Sequence, residues 1–243
     1  MTALISKEIR SFLSSLTGYI VISMFLLLTG LFLWVFPGES NVLTGGYSTI
    51  EPLFVIAPWV FTFLIPAITM RSFAEEKRTG TIELLFTRPL TDYQIIWAKY
   101  LGAFALVIIS LLPTLIYFYT VYQYGNPKGN IDTGATWGSF IGLLFLGSAF
   151  TAIGLFASAV TENQIVSFIL AAFLCFIVYT GFDSLASLTN WGYAENFIRN
   201  LGINEHYISV SRGVVDSRDL VYFLSLDAFF FLLTATRIKS RKW

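Results

Sequence analysis

Charge, cysteine and histidine are all scarce in this chain. Only 12% of its 243 residues are charged, while 56% are apolar, 17% are aromatic and the mean hydropathy is +0.71. An ordinary soluble domain carries about 25% charged residues. A water-soluble globular domain is therefore excluded, and a polytopic membrane protein is left. Fifteen basic residues against fifteen acidic ones give no net charge, which argues against a nucleic-acid partner. The lone Cys175 lies in an apolar run, so neither a disulfide framework nor a thiolate-rich metal site can form within one chain. The lone His206 cannot build the ligand clusters that zinc chemistry uses, and it reads as an interfacial residue. The HExxH pattern of zinc proteases is missing, as are the histidines that an intramembrane glutamate protease would need beside Glu75 and Glu76. No span is expected to offer a histidine or lysine as base to a serine. No G-x-x-x-x-G-K-[ST] phosphate loop is present. No enzymatic activity and no bound cofactor are expected of this chain, and any ATP that drives it must be hydrolysed elsewhere.

What is abundant is long apolar runs. Six occupy residues 19–36, 53–70, 96–119, 138–160, 165–182 and 220–236, each long enough to cross a hydrocarbon core of roughly 30 Å. The fold class is all-α, with six transmembrane helices. The first run is longer than a signal-peptide core and ends in "PGES" with no cleavage pattern, so it reads as a retained span. Ahead of it, in residues 1–17, Leu4, Ile5, Ile9, Phe12, Leu13 and Leu16 recur at helical spacing beside Lys7, Glu8 and Arg10. That pattern predicts a helix lying in the membrane interface. Six spans place both termini on one side. With residues 71–99 on that side too, it holds eleven of the fifteen basic residues, including Lys7, Lys77, Arg78, Arg88, Lys99, Lys239, Arg241 and Lys242. The bias of cytoplasmic loops toward Lys and Arg assigns both termini to the cytoplasm, in an inner membrane.

On the other side, the segment 183–218 contains Leu185, Leu188, Trp191, Phe197, Ile198, Leu201 and Ile203. It is too apolar for a free loop and too interrupted for a span, and is expected to form short helices on the outer leaflet. Thr161 with Gln164 suits a capping box in the tight turn between spans four and five. Pro58, Pro66 and Pro113 predict kinks inside spans. Gly138 with Gly142, and Gly154 with Ser158, allow close helix packing, either within the chain or between subunits.

Residues 71–99 form the one long charged interruption between two spans. Ser72 and Glu75 have the pattern of a capping box, Gly80 marks a turn, and "TIELLF" groups Ile82, Leu85 and Phe86 before Pro89 ends the helix. Thr91 with Gln94 forms a second capping box that opens the next span. The product is a short amphipathic helix presenting Glu75, Glu76, Lys77, Arg78, Glu83 and Arg88 to water or to a partner. Phe73 and Leu85 are its expected apolar anchors, and Glu76 and Glu83 its acidic contacts. Within the spans, Asp227 is the one mid-membrane acid. An acid there must face protein, with Ser225, Thr151 or a partner subunit as polar company, and no second buried charge is expected with which to relay a proton.

The blocks "KEIRSFLSSLTGYI", "FAEEKRTGTIELLFTRPLTDYQIIWAKYLGA" and "SRGVVDSRDLVYFLSLDAFFFLLT" resemble the ABC-2 type permeases, the membrane subunits of type V ABC exporters. More narrowly, they are similar to the permease associated with gliding motility in Bacteroidetes. The resemblance implies a single transmembrane domain over 1–243, with an N-terminal interfacial helix, a cytosolic coupling helix between spans two and three, and short external helices between spans five and six. It implies that Glu76, Gly80, Thr81, Glu83, Leu84, Leu85 and Pro89 build the region facing the ATPase. A pair of cytosolic ATPase subunits would bind ATP and Mg, and a second permease, different or identical, would complete the pore among membrane lipids. The family is usually apolar where Asp227 stands. The alternative is a non-transporting subunit that couples an ATPase to assembly of an envelope machine, with 183–218 as its partner surface.

Overall fold

Every regular element among the described residues of the computed structural model is helical. These residues are 2–87, 89–188, 192–213 and 216–240. Arg88, Trp191, Arg241 and Lys242, all used in the sequence reading, lie outside them. In chain order the helices are α1 (Thr2–Leu13), α2 (Leu16–Gly30), α3 (Glu51–Thr69), α4 (Ala74–Arg78), α5 (Thr81–Phe86), α6 (Asp92–Leu111) and α7 (Leu115–Tyr124). They continue with α8 (Thr133–Val160), α9 (Gln164–Phe176), α10 (Phe182–Leu188), α11 (Gly192–Arg199), α12 (Ile203–Ser211) and α13 (Ser217–Lys239). Among the described residues, six stretches are long and apolar enough to cross a membrane: Leu16–Val35, Glu51–Arg78, Asp92–Tyr124, Thr133–Val160, Gln164–Leu188 and Ser217–Lys239.

The 28-residue α8 is the centre of the bundle, packed by α3, α6, α9, α12 and α13. Its small residues decide this. A Cβ at Gly154 would sit 2.1 Å from Thr69 Oγ1, and one at Gly138 would sit 2.5 Å from the Cα of Gly213. The Gly138/Gly142 and Gly154/Ser158 pairs thus serve packing within the chain. Phe61, Phe150, Phe223, Leu143 and Ile153 fill the space around that spine.

Prolines act unequally. Pro113 lies in a 3-10 turn, Leu112–Thr114, that separates α6 from α7, because a proline has no N–H to give and crowds the preceding turn. Pro58 and Pro66 are carried inside a continuous α3. The expected end of span five at residue 182 is a correction. The helix passes through one wide π turn, Ile177–Gly181, straight into α10, since nothing between residues 177 and 188 forbids helix. The Thr161/Gln164 capping box is also corrected: Asn163 caps α9, its side chain accepting from the Ile165 N–H at 2.9 Å.

Beyond α10, α11 and α12 are the short helices expected of the segment before the last span. Tyr207 anchors α12, its hydroxyl donating to the Phe54 carbonyl at 2.7 Å. His206 stacks on Tyr222 and lies 2.7 Å from the buried Asp219 carboxylate and 3.0 Å from the Asn200 carbonyl. It clasps the α11–α12 linker to the top of α13. At the opposite end of the bundle, Lys7–Glu76 and Lys239–Tyr93 contacts gather α1, α4, the start of α6 and the end of α13.

Candidate functional site

The charged segment after α3 divides into a docked half and a presented half. The docked half is α4. Its first backbone donors would be orphans, since the opening N–H groups of any helix lack intrahelical partners. Ser158 of α8 satisfies two of them: its Oγ accepts from the N–H of Phe73 at 3.0 Å and of Ala74 at 3.1 Å, and donates to the Met70 carbonyl at 3.1 Å. One hydroxyl thereby uses its donor and both its acceptor sites. Lys77 donates to the Ala159 carbonyl in the last turn of α8. The Ser72/Glu75 capping box does not form, because the helix begins at Ala74 and a side chain from another helix already serves its N-terminus.

Below α4 lies a buried ionic node. Lys99 of α6 is 1% exposed; its ammonium is 3.0 Å from Glu8 of α1, 3.0 Å from Glu76 of α4, and donates to the Ser72 carbonyl at 2.6 Å. The Phe73 ring lies 5.1 Å away, a further favourable partner for a cation. Lys7 meets the other Glu76 oxygen at 3.4 Å. Close approach makes this possible: a Cβ at Gly102 would stand 2.9 Å from Glu8 Cβ, so only glycine lets α1 lie this near α6. A lone buried ammonium would cost several kcal/mol, and it persists only with this density of partners.

Two expectations are corrected by that node. Glu76, 14% exposed at its side chain, turns inward to Lys99 and Lys7 rather than outward. Phe73 is 0% exposed and cannot be a surface anchor; it plugs α4 into the bundle beside Lys99. The expectation that no span buries a lysine is also wrong. Counting from the Thr91/Gln94 capping box, whose two reciprocal bonds are both present at 3.3 and 3.0 Å, puts Lys99 two turns inside the helix. The box was legible; starting the span at residue 96 hid its consequence.

The presented half is the turn and α5. Gly80 has φ +71°, left-handed backbone that side-chain-bearing residues rarely adopt. It reverses the chain so that Gly80, Thr81, Glu83, Leu84 and Pro89 are exposed together. Leu84 is 67% exposed. Leu85 is half-buried and lines, with Leu4, Leu84 and Leu90, a groove between α1 and α5. Six of the eight residues expected to face an ATPase therefore share one outer surface, and the other two hold that surface to the membrane domain.

A family model, ABC-2 family transporter protein, matches residues 2–236. The chain belongs to the ABC-2 transporter family. It is a multi-pass membrane protein and a permease subunit of an ABC transporter, and membership implies an ABC ATPase subunit as its partner. No curated protein matches it significantly.

In this permease Asp227 has partners that the sequence reading missed. Its Oδ2 accepts from Ser148 of α8 and from the Tyr100 hydroxyl of α6 at 3.2 Å, and Tyr100 lies 2.6 Å from Ser148. Ser225 bonds to Tyr222 O and Thr151 to Gly147 O, so neither serves the acid. The signal was the tyrosine next to Lys99: consecutive residues on a helix stand about 100° apart, so Lys99 reaches α1 and α4 while Tyr100 reaches α8 and α13.

Proposed function

We propose that the permease works in ATP-driven export, with both termini and α5 in the cytoplasm and a pair of ATPase subunits, which bind ATP and Mg, docking on the α5 face. Closure of the ATPases pushes α5. The push passes through the Gly80 turn to α4, and from α4 along two routes: Ser158 and Ala159 into α8, and Glu76–Lys99 into α6 and α1. The observation that carries this reading is the division of the segment, one half exposed and apolar at Leu84, the other bonded to the spine of the bundle. Allosteric coupling needs two global states that both sites bias; a rigid α4 gives the push somewhere to go.

The eleven-to-four partition of basic residues supports the orientation. The resemblance of the terminal blocks supports a second permease and a place in gliding motility or envelope export. Co-purification tests the docking face. Leu84→Asp and Glu83→Lys should each lose the ATPase while eluting as a folded permease, because interface energy concentrates in a few buried side chains. Wild-type recovery of the ATPase by both variants would refute the assignment.

A further inference from the structure

Beside the C-terminal half of α1, bordered by the Glu8–Lys99–Glu76 node, lies a cavity of about 350 Å³. Its lining is part polar and part apolar. Arg71, Glu75, Thr79 and Thr81 are half-buried or exposed, whereas Phe12, Ile68, Ala103 and Leu106 are buried. Lys99, Ala103 and Leu106 follow one face of α6, and the seven steps from Lys99 to Leu106 span roughly 10 Å at a helical rise of about 1.5 Å. The volume lies at the small end of ligand pockets, roughly 300–1,000 Å³. Accessible polar groups next to a buried apolar set, beside an amphipathic helix, fit an amphiphile.

The charges select which one. Lys7 and Lys99 balance Glu8 and Glu76, with which they pair. That leaves Arg71 and Glu75, whose side chains make no hydrogen bond or ion pair among the described residues, and the Arg71 Nε is buried without a partner. A planar guanidinium left open matches a phosphate, which it can grip through two parallel N–H donors. A free carboxylate beside it matches an ammonium. The sum over all six groups is zero, so a zwitterion is favoured over an anion.

We propose that this cavity is a site for the headgroup of a zwitterionic, amine-bearing phospholipid, with the phosphate on Arg71, the ammonium on Glu75, and the glycerol end against Phe12 and Leu106. The lipid acts as a structural wedge between α1 and α4 and is distinct from any cargo.

The test uses the purified full-length permease in nanodiscs of phosphatidylethanolamine with phosphatidylglycerol, or phosphatidylcholine with phosphatidylglycerol, followed by native mass spectrometry of retained lipid. The wild type should retain phosphatidylethanolamine in preference to both others. Arg71→Gln should weaken that retention about tenfold, whereas Arg78→Gln, at an exposed neighbour, should not. Glu75→Gln should shift the preference toward phosphatidylglycerol, because the site then carries a net positive charge. Soluble phosphoethanolamine at millimolar concentration should not displace the lipid; displacement would make the ligand a free phosphate compound and overturn the lipid assignment. Equal retention of all three lipids by the folded wild type would overturn the proposal, even if Arg71→Gln failed to fold. Unchanged retention in a folded Arg71→Gln would overturn it as well.

Discussion

Replacing Lys99 by methionine removes one positive charge from between two carboxylates while keeping most of the side-chain volume. Glu76 would keep only Lys7 at 3.4 Å, and Glu8 would lose the ion pair it makes at 3.0 Å. Removing one partner of a buried pair typically costs about 3–5 kcal/mol, because the other charge stays desolvated. The two carboxylates retain some water contact, at 14% and 20% exposure, which puts the expectation near the lower figure. For a chain of this size each kcal/mol moves the melting temperature by roughly 2–4 °C, so Lys99→Met should melt roughly 6–12 °C below wild type in detergent. The triple variant Lys99→Met, Glu8→Gln, Glu76→Gln removes the desolvated charges together with their attraction. It should recover most of the loss, since a buried ion cluster is often worth little against a neutral replacement. Thermal unfolding followed by tryptophan fluorescence reads both. A single variant melting within 2 °C of wild type, or a triple variant less stable than the single one, would refute the account of the node.

Ser158→Ala leaves the Phe73 and Ala74 N–H groups without their acceptor, each buried donor costing about 1–3 kcal/mol; the complex should assemble and hydrolyse ATP with a reduced coupling ratio, measured as transport or gliding per ATP. Asp227→Asn keeps the shape and the bonds from Ser148 and Tyr100, so complex yield and function should match wild type at equal protein level; loss of function with normal assembly would mean the acid acts by its charge. Single cysteines at Arg78 and Lys128 in a Cys175→Ser background should be protected from and reactive to impermeant thiol reagent in intact cells, respectively. Labelling of position 78 from outside would overturn the orientation. Gly102→Leu drives a side chain into Glu8 and should detach α1, read as protease sensitivity of the first fifteen residues.

Apolar run length made the six spans legible, because a helix that meets lipid must be apolar over its whole crossing. The Thr91/Gln94 box and the Gly80 turn were legible too, since both depend on residues within a few positions of each other. What was not legible was long-range. Ser158 lies 85 residues from the N–H of Phe73, and Glu8 lies 91 residues from Lys99; no local pattern announces such pairs. Glu76 and Phe73 looked like surface residues because an amphipathic helix shows its charged face to water by default. Here Lys7 of α1 and Lys99 of α6 draw Glu76 inward, and Phe73 is held between Lys99 and Ser158 of α8. Ser148 escaped notice for a similar reason: in an apolar span a lone serine reads as packing until a facing acid is known.

The central claim is that force enters at α5 while α4 is fixed to the bundle. It is tested most directly by cysteine cross-linking in the assembled complex, with Cys175→Ser as background and single cysteines scanned over the surface of the ATPase subunit. Leu84→Cys and Thr81→Cys should cross-link to the ATPase in high yield, and the small buried change Ala74→Cys should not cross-link at all. Cross-linking from position 74 at a yield equal to position 84 would show that α4 itself meets the ATPase, and would contradict the division on which the account rests.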